Sequence, residues 1–169
     1  MKKLFAIVFV AVIGWGCSGS KTATNTSLPE KMELGWMQRS DFMKPAYPSF
    51  PGNYDTVHIS DNFVEIIKIL HDRVDVVVVM GTWCGDSKRE VPRFLKIADL
   101  ASISPSQIKF YGVDRTKKSP DGITEKYHIE RVPTFIFLKN EQELGRIVES
   151  PVHSLEEDML SILADAQGK

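Results

Sequence analysis

The sequence predicts an α/β fold in which a central mixed β-sheet is flanked by helices. Residues 74–80 are almost entirely β-branched and lack polar alternation, which is typical of a strand buried on both faces. Gly81 ends that run, and the residues after it have helical spacing. The apolar positions on one face of this helix are Val91, Phe94, Leu95 and Ala98. Residues 134–138 and 144–148 flank the turn residues Asn140-Glu141, which predicts an antiparallel hairpin.

Two further strands and one helix are predicted before and between these elements. Residues 56–59 predict a short strand, and residues 108–113 predict another. Asp61 is a suitable N-cap for a helix with one apolar face. The side chains of that face are Phe63, Ile66, Ile67 and Leu70.

The carboxyl-terminal half of the chain contributes two more helices. Ser119-Pro120-Asp121 predicts the start of a short helix that ends near Tyr127. Ser154 and Glu157 have the spacing of a capping box, which predicts the start of the last helix. Its inward positions are Leu155, Met159, Ile162 and Leu163.

Cys84 lies where the central strand turns into a helix. The unpaired N–H groups of a first helical turn carry partial positive charge, so a thiol there is stabilised as a thiolate. Lys88 adds a cation one turn further on, whereas Asp86 opposes it. Cysteines in such places can have pKa values well below the free value of about 8.5. The alternative is a buried, inert cysteine, but the flanking residues are too polar for a core.

Residues 83–88, Trp-Cys-Gly-Asp-Ser-Lys, resemble the active-site loop of the thioredoxin family, Trp-Cys-Gly-x-Cys-Lys. Pro92 stands where thioredoxins have the proline that kinks the following helix. Val132-Pro133-Thr134 resembles the family's cis-proline motif at the start of a strand. The resemblance covers about residues 56–166, and it implies the thioredoxin fold.

Two positions depart from the thioredoxin pattern. Ser87 replaces the second, resolving cysteine of the motif, which gives Cys-x-x-Ser. Val78 occupies the position where thioredoxins usually carry a buried acid that serves the resolving thiol. Since the acid has no function without that thiol, the two departures are consistent with a monothiol relative.

The resemblance also implies roles for the residues around Cys84. Cys84 is expected to be the nucleophile, and the Ser87 hydroxyl is expected to hydrogen-bond its thiolate. Lys88 is expected to favour that thiolate. The client is expected to bind along a groove by β-augmentation. The residues implied to contact the client are Trp83, Gly85, Asp86, Val132, Pro133 and Glu149. Glu149 should disfavour acidic clients.

The amino terminus has the pattern of an export signal. Residues 1–16 combine two lysines with an apolar run that is too short for a comfortable membrane span. Cys17 follows a small residue, as the acylated cysteine of a bacterial lipoprotein does, although Gly14 and Trp15 depart from the usual processing site. The alternatives are an ordinary exported protein and an uncleaved anchor. The expected location is the periplasmic side of a bacterial membrane.

Three regions are expected after the signal. Residues 17–27 have the composition of a flexible tether. Residues 28–55 are rich in aromatic side chains and proline without regular periodicity, and we expect an irregular extension that packs on the domain. Its alternative role is docking of a partner. Residues 56–169 are expected to form the thioredoxin-like domain.

Composition excludes several other classes of function. The formal net charge of -1 gives no general attraction to nucleic acid. The four histidines are scattered, and the sequence predicts neither a metal site nor a cofactor. Besides Cys17, only Cys84 is available, so no structural disulfide is expected.

The primary functional hypothesis is thiol–disulfide exchange through Cys84. Its thiolate would form mixed disulfides with client proteins or low-molecular-weight thiols. The alternative is a non-catalytic binding module of the same fold with a reversibly modified cysteine. A peroxide-reducing enzyme is less consistent with the sequence, because residue 81 is glycine where such enzymes need threonine. A cysteine hydrolase would need a histidine that the sequence does not place.

Overall fold

A computed structural model describes residues 31–165, which form a five-stranded sheet and six α-helices. The strands are β1 (Gly35–Met37), β2 (Asp75–Met80), β3 (Ile108–Gly112), β4 (Thr134–Lys139) and β5 (Gln142–Val148). The helices are α1 (Arg39–Phe42), α2 (Ser49–Thr56), α3 (Asp61–Leu70), α4 (Gly85–Leu100), α5 (Ile123–Lys126) and α6 (Leu155–Asp165). A 3-10 turn, Pro105–Gln107, precedes β3.

The sheet has the strand order β1-β3-β2-β4-β5. β2 is parallel to β3 and antiparallel to β4, so the predicted mixed sheet is confirmed. Because side chains alternate along a strand, Val76 and Val78 enter one core cluster while Val77 and Val79 enter another on the opposite face. Both clusters are buried, as the uninterrupted apolar run in β2 predicts.

The first face of the sheet is covered by α4, α6 and the helices that precede β2. The predicted apolar face of α4 is buried, and the Phe94 ring lies 5.2 Å from that of Phe135 on β4. In α6, Leu155, Met159 and Leu163 are also buried. The second face is packed mainly by α5 and the loops around it. Helices therefore flank the sheet on both sides, and the face that packs against α4 and α6 is covered by more helices than the face that packs against α5.

The predicted strand at residues 56–59 is wrong. Helix α2 continues to Thr56, and the residues after it connect α2 to α3 in extended conformation without pairing. The edge of the sheet is instead occupied by β1, which runs antiparallel to β3 with Trp36 opposite Tyr111. A three-residue strand is too short to show periodicity, so the sequence could not reveal it.

Residue 112 must be glycine for the chain before β1 to lie against β3. A Cβ atom at Gly112 would collide with the backbone carbonyl of Glu33. The same amino-terminal segment is held from a second side, because the Glu33 N–H donates to the Thr82 hydroxyl at 3.3 Å. The Tyr47 hydroxyl donates to the Lys31 carbonyl at 2.7 Å. Residues 31–33 therefore lie next to the loop that follows β2.

Residues 31–55 are built into the core through aromatic side chains. Phe42, Tyr47 and Phe50 are at most 2% exposed. The Phe42 ring lies 5.0 Å from that of Phe110 on β3 and 5.3 Å from that of Phe50. Such fully buried rings contribute several kcal/mol each to the free energy of unfolding. The extension therefore packs as one unit with the sheet.

A polar cluster fixes the extension to the far end of α4. Arg39 donates two hydrogen bonds of 2.7 Å to Asp99, and the Tyr54 hydroxyl donates to the same carboxylate at 2.7 Å. Burial alone would raise the pKa of Asp99, but these hydrogen bonds hold it below the ordinary value. Asp99 therefore remains ionised and paired at neutral pH.

The expected signal, the tether with Cys17 and residues 28–30 lie outside the described residues, as do residues 166–169. Across residues 31–165, no helix combines the length and apolar character needed to cross a bilayer.

Candidate active site

Cys84 is the N-cap residue of α4, as the sequence predicts. Strand β2 ends at Met80, and a tight turn follows in which the Cys84 N–H donates to the Gly81 carbonyl at 2.9 Å. Cys84 is half-buried, and its own carbonyl accepts from the Lys88 N–H at 3.0 Å to start the helix. The sulfur therefore lies at the positive end of a 16-residue helix, with access to solvent.

The Cys84 sulfur faces the loop that precedes β4. Its thiol donates a hydrogen bond of 3.2 Å to the Val132 carbonyl, and the Val132–Pro133 peptide bond is cis. That loop is held at both ends. The Thr134 hydroxyl donates to the Arg131 carbonyl at 2.7 Å, and the Glu149 N–H donates to the Pro133 carbonyl at 2.7 Å. The backbone of Val132 is thus fixed beside the sulfur.

Ser87 occupies a buried position behind Cys84. Its side chain is fully buried, and its hydroxyl oxygen accepts from the Gly81 N–H at 3.2 Å. The expected hydrogen bond between Ser87 and the Cys84 sulfur is not formed in this structure, because the thiol turns toward Val132 instead. Val78, on the strand beneath, is also fully buried. Ser87 and Val78 are therefore both closed to solvent.

Trp83 is locked in place by two contacts. Its indole Nε1–H donates to the Val113 carbonyl at 2.8 Å, and the Arg115 guanidinium carbon lies 4.7 Å from its ring centre. The indole also covers Gly81, where a Cβ would lie only 2.7 Å from the ring. This explains why residue 81 is glycine in this turn.

Three of the other predicted site residues follow Cys84 in the first turn of α4. Gly85 is exposed at the start of α4, and Asp86 forms an ion pair of 2.7 Å with Arg89. Lys88 is half-buried one turn into the helix, where its carbonyl accepts from Asn53 at 2.7 Å. All of them belong to one continuous stretch of loop and helix.

Glu149 is also near the loop, but its charge is compensated. Its carboxylate forms an ion pair of 2.7 Å with Arg131. That Glu149 disfavours acidic clients stays a prediction.

The family of the chain follows from comparison with known proteins. A family model described as Thioredoxin matches residues 47–161, which is most of the chain. The chain belongs to the thioredoxin family. Membership confirms the resemblance to that family, and it supports thiol–disulfide exchange in general as the chemistry of this thioredoxin relative. Proteins of this family act on client proteins or thiols.

Individual thioredoxins are similar at moderate identity. A thioredoxin of Malassezia sympodialis is 36% identical over 77 residues, which cover 46% of this chain and 70% of that protein. Thioredoxin H9 of Arabidopsis thaliana is 32% identical over 95 residues, which cover 54% of this chain and 64% of that protein. The alignment thus leaves about a third of the Arabidopsis protein uncovered.

Solved structures are similar in fold. A Pseudomonas aeruginosa protein of unknown function superposes with a TM-score of 0.58 at 16% identity, over 79% of this chain and 93% of that one. At that identity the likeness establishes the fold alone. It agrees with the five-stranded mixed sheet and its flanking helices in this thioredoxin-family protein.

Sequence reasoning missed one residue beside the site. Arg115 follows β3 in a polar loop, where the chain gives no periodic signal, and only the fold brings it over Trp83. The parallel pairing of β2 with β3 places the carboxyl ends of both strands at one edge of the sheet, so residues after β3 meet the loop after β2.

Proposed function

We propose that this protein carries out thiol–disulfide exchange through Cys84 alone. The observation that carries the proposal is the half-buried Cys84 thiol at the start of α4, beside the Val132 carbonyl, with serine at the position of the resolving thiol. Cys84 as thiolate attacks one sulfur of a client disulfide, the client S–S bond breaks, and a mixed disulfide forms. The other client sulfur leaves as a thiolate and takes up a proton, so no net oxidation occurs.

The Val132 backbone serves as the docking edge for an extended client. When the Cys84 sulfur turns to the client, the Val132 carbonyl becomes available to a client N–H, which gives main-chain pairing of the β-augmentation type. Trp83, Gly85 and Asp86 form the near rim of this groove, and Pro133 with Glu149 forms the far rim.

Ser87 determines how the client is released from its mixed disulfide with Cys84. A hydroxyl cannot attack the Cys84–client bond, so release depends on a second client cysteine or on an external thiol. That route suits isomerisation, deglutathionylation-like chemistry or client capture better than net reduction of dithiols.

Covalent capture is the first test. Wild-type protein incubated with a model peptide disulfide should form an adduct that survives non-reducing electrophoresis and disappears with dithiothreitol. Cys84→Ala should form none, whereas Ser87→Ala, which keeps the nucleophile, should form it. Absence of adducts with the wild-type protein would contradict the proposal. Equal, reductant-insensitive binding of peptide by Cys84→Ala would favour the non-catalytic binding module instead.

We also propose that the protein is exported and anchored by lipid at Cys17. The support is sequence alone: the basic and apolar residues 1–16, the cysteine that follows, and the polar composition of residues 17–27. In this arrangement Cys84 acts on the periplasmic side of a bacterial membrane.

The anchor can be tested with fatty-acid labelling of the full chain expressed in a bacterium. Wild-type protein should incorporate labelled palmitate and sediment with membranes. Cys17→Ser should lose the label, and Cys84→Ser should keep it. Label retained by Cys17→Ser would rule out this modification site.

A further inference from the structure

The loop after β3 holds a cation directly beside the active site. The Arg115 guanidinium lies over the ring of Trp83, the residue before Cys84, with 4.7 Å between the guanidinium carbon and the ring centre. Trp83 is itself fixed by its hydrogen bond to Val113. The Arg115 side chain is therefore positioned by a rigid aromatic surface, although the residue is exposed.

The N–H donors of Arg115 remain available in this arrangement. The guanidinium carries five N–H donors, and its contact with the Trp83 ring provides no oxygen acceptor for them. Within residues 31–165, no carboxylate lies within ion-pair distance of Arg115, and no atom accepts a hydrogen bond from its guanidinium. A positioned guanidinium with free edges is suited to bind a carboxylate through two parallel hydrogen bonds.

The surrounding charges favour an anion at this place. The acids on the other rims, Asp86 and Glu149, are each paired with an arginine at 2.7 Å. The carboxylate of the adjacent residue, Asp114, accepts two hydrogen bonds from Thr116 at 2.8 and 2.6 Å within its own loop. These bonds hold the pKa of Asp114 below its ordinary value, so it stays ionised. The loop between β3 and α5 nevertheless carries three cations, namely Arg115, Lys117 and Lys118, against the two carboxylates of Asp114 and Asp121.

We infer that Arg115 is a specificity-determining residue that binds a carboxylate close to the client sulfur attacked by Cys84. The inference rests on the proposed function, which supplies the attack. The substrate class is a disulfide with a carboxylate near its sulfur. Two sources share this chemistry: a protein segment with an acidic residue next to its cysteine, and a small carboxylate-bearing thiol joined as a disulfide.

The test compares rates of mixed-disulfide formation with matched substrates. The peptide disulfides carry aspartate, asparagine or lysine next to the cysteine. Oxidised glutathione and its carboxyl-esterified form make up the small-thiol arm. At low salt the wild-type protein should react roughly fivefold faster with the acidic member of at least one arm than with its uncharged partner. The arm that shows the preference identifies whether the carboxylate belongs to a protein segment or to a small thiol. The preference should shrink at high salt, because salt screens the attraction between the guanidinium and the carboxylate.

Three variants separate the effect of the Arg115 guanidinium from the effect of the protein's overall charge. Arg115→Gln should abolish the preference, so that the acidic and uncharged members of each arm react with this variant at equal rates. Arg115→Lys should keep only part of it, because an ammonium neither stacks as a plane nor binds bidentately. Arg73→Gln removes the same charge from an exposed position before β2, at the opposite end of that strand from Cys84, and should keep the full preference.

The possible results separate a failure of the role of Arg115 from a failure of the proposed thiol–disulfide exchange. Equal rates for acidic and uncharged substrates in both arms, with adducts still forming, would overturn the role of Arg115 alone. A preference that persists in Arg115→Gln would do the same. Failure of every disulfide to form an adduct would overturn both proposals. Each rate is divided by the rate of the same variant with neutral iodoacetamide, so that a change in the reactivity of Cys84 itself is not counted as a change in preference.

Discussion

Ser87→Cys is expected to shorten the lifetime of mixed disulfides on Cys84 by at least about a hundredfold. Residues three apart on a helix are neighbours, so the introduced thiol lies within reach of the Cys84 sulfur. It attacks that sulfur, the client leaves as a thiolate, and an internal disulfide forms. A thiol held in place acts at an effective concentration far above that of an added thiol. The measurement is the decay of a purified peptide adduct after excess peptide has been removed.

Ser87→Ala is the matched control for this experiment. It removes the hydroxyl that accepts from the Gly81 N–H but introduces no nucleophile, so the adduct should persist as in the wild-type protein. Val78→Asp in the Ser87→Cys background should accelerate release further by accepting the new thiol's proton, and it should lower stability through a buried charge. If Ser87→Cys neither forms an internal disulfide nor releases its adduct, the alignment of this loop with the thioredoxin motif is wrong.

Phe42→Ala is expected to lower the free energy of unfolding by about 3–5 kcal/mol. Phe42 is fully buried between Phe50 and Phe110, so truncation leaves a cavity at the junction of the extension and β3. Since domains of this size are stable by about 5–15 kcal/mol, the loss should be obvious in urea unfolding.

Trp36→Ala provides a control in the same extension. Trp36 is large and aromatic but 50% exposed, so its truncation should cost considerably less. Both variants should unfold in a single transition if the extension and the sheet form one cooperative unit. A loss below about 1 kcal/mol for Phe42→Ala would mean that the extension contributes little to folding.

The strands and the long helix within residues 75–148 could be predicted well because their signals are local, whereas the short helix predicted to start at Ser119-Pro120-Asp121 begins only at Ile123. The β-branched run of β2, the periodic apolar face of α4 and the hairpin of β4 and β5 depend on short-range patterns. The position of Cys84 followed from the same boundary between strand and helix. These features need no knowledge of distant parts of the chain.

The features that the sequence did not reveal depend on contacts between residues that are distant in the chain. β1 is recognisable only through its pairing with β3, some 75 residues later, and the need for glycine at residue 112 appears only when Glu33 lies against it. Likewise, the partners of Asp86, Glu149 and Arg115 are set by rotamers and by the approach of separate loops. Sequence spacing predicts neither which charges are compensated nor which remain free.

The antiparallel pairing of β1 with β3 also bears on how the protein behaves in solution. The family match begins at residue 47, after β1, so a chain trimmed to that match would lack the strand that covers the edge of β3. The exposed N–H and C=O groups of β3 would then form an open template for strands of other molecules. Self-association through this edge is the behaviour to expect of such a shortened protein, whatever the state of its thiol.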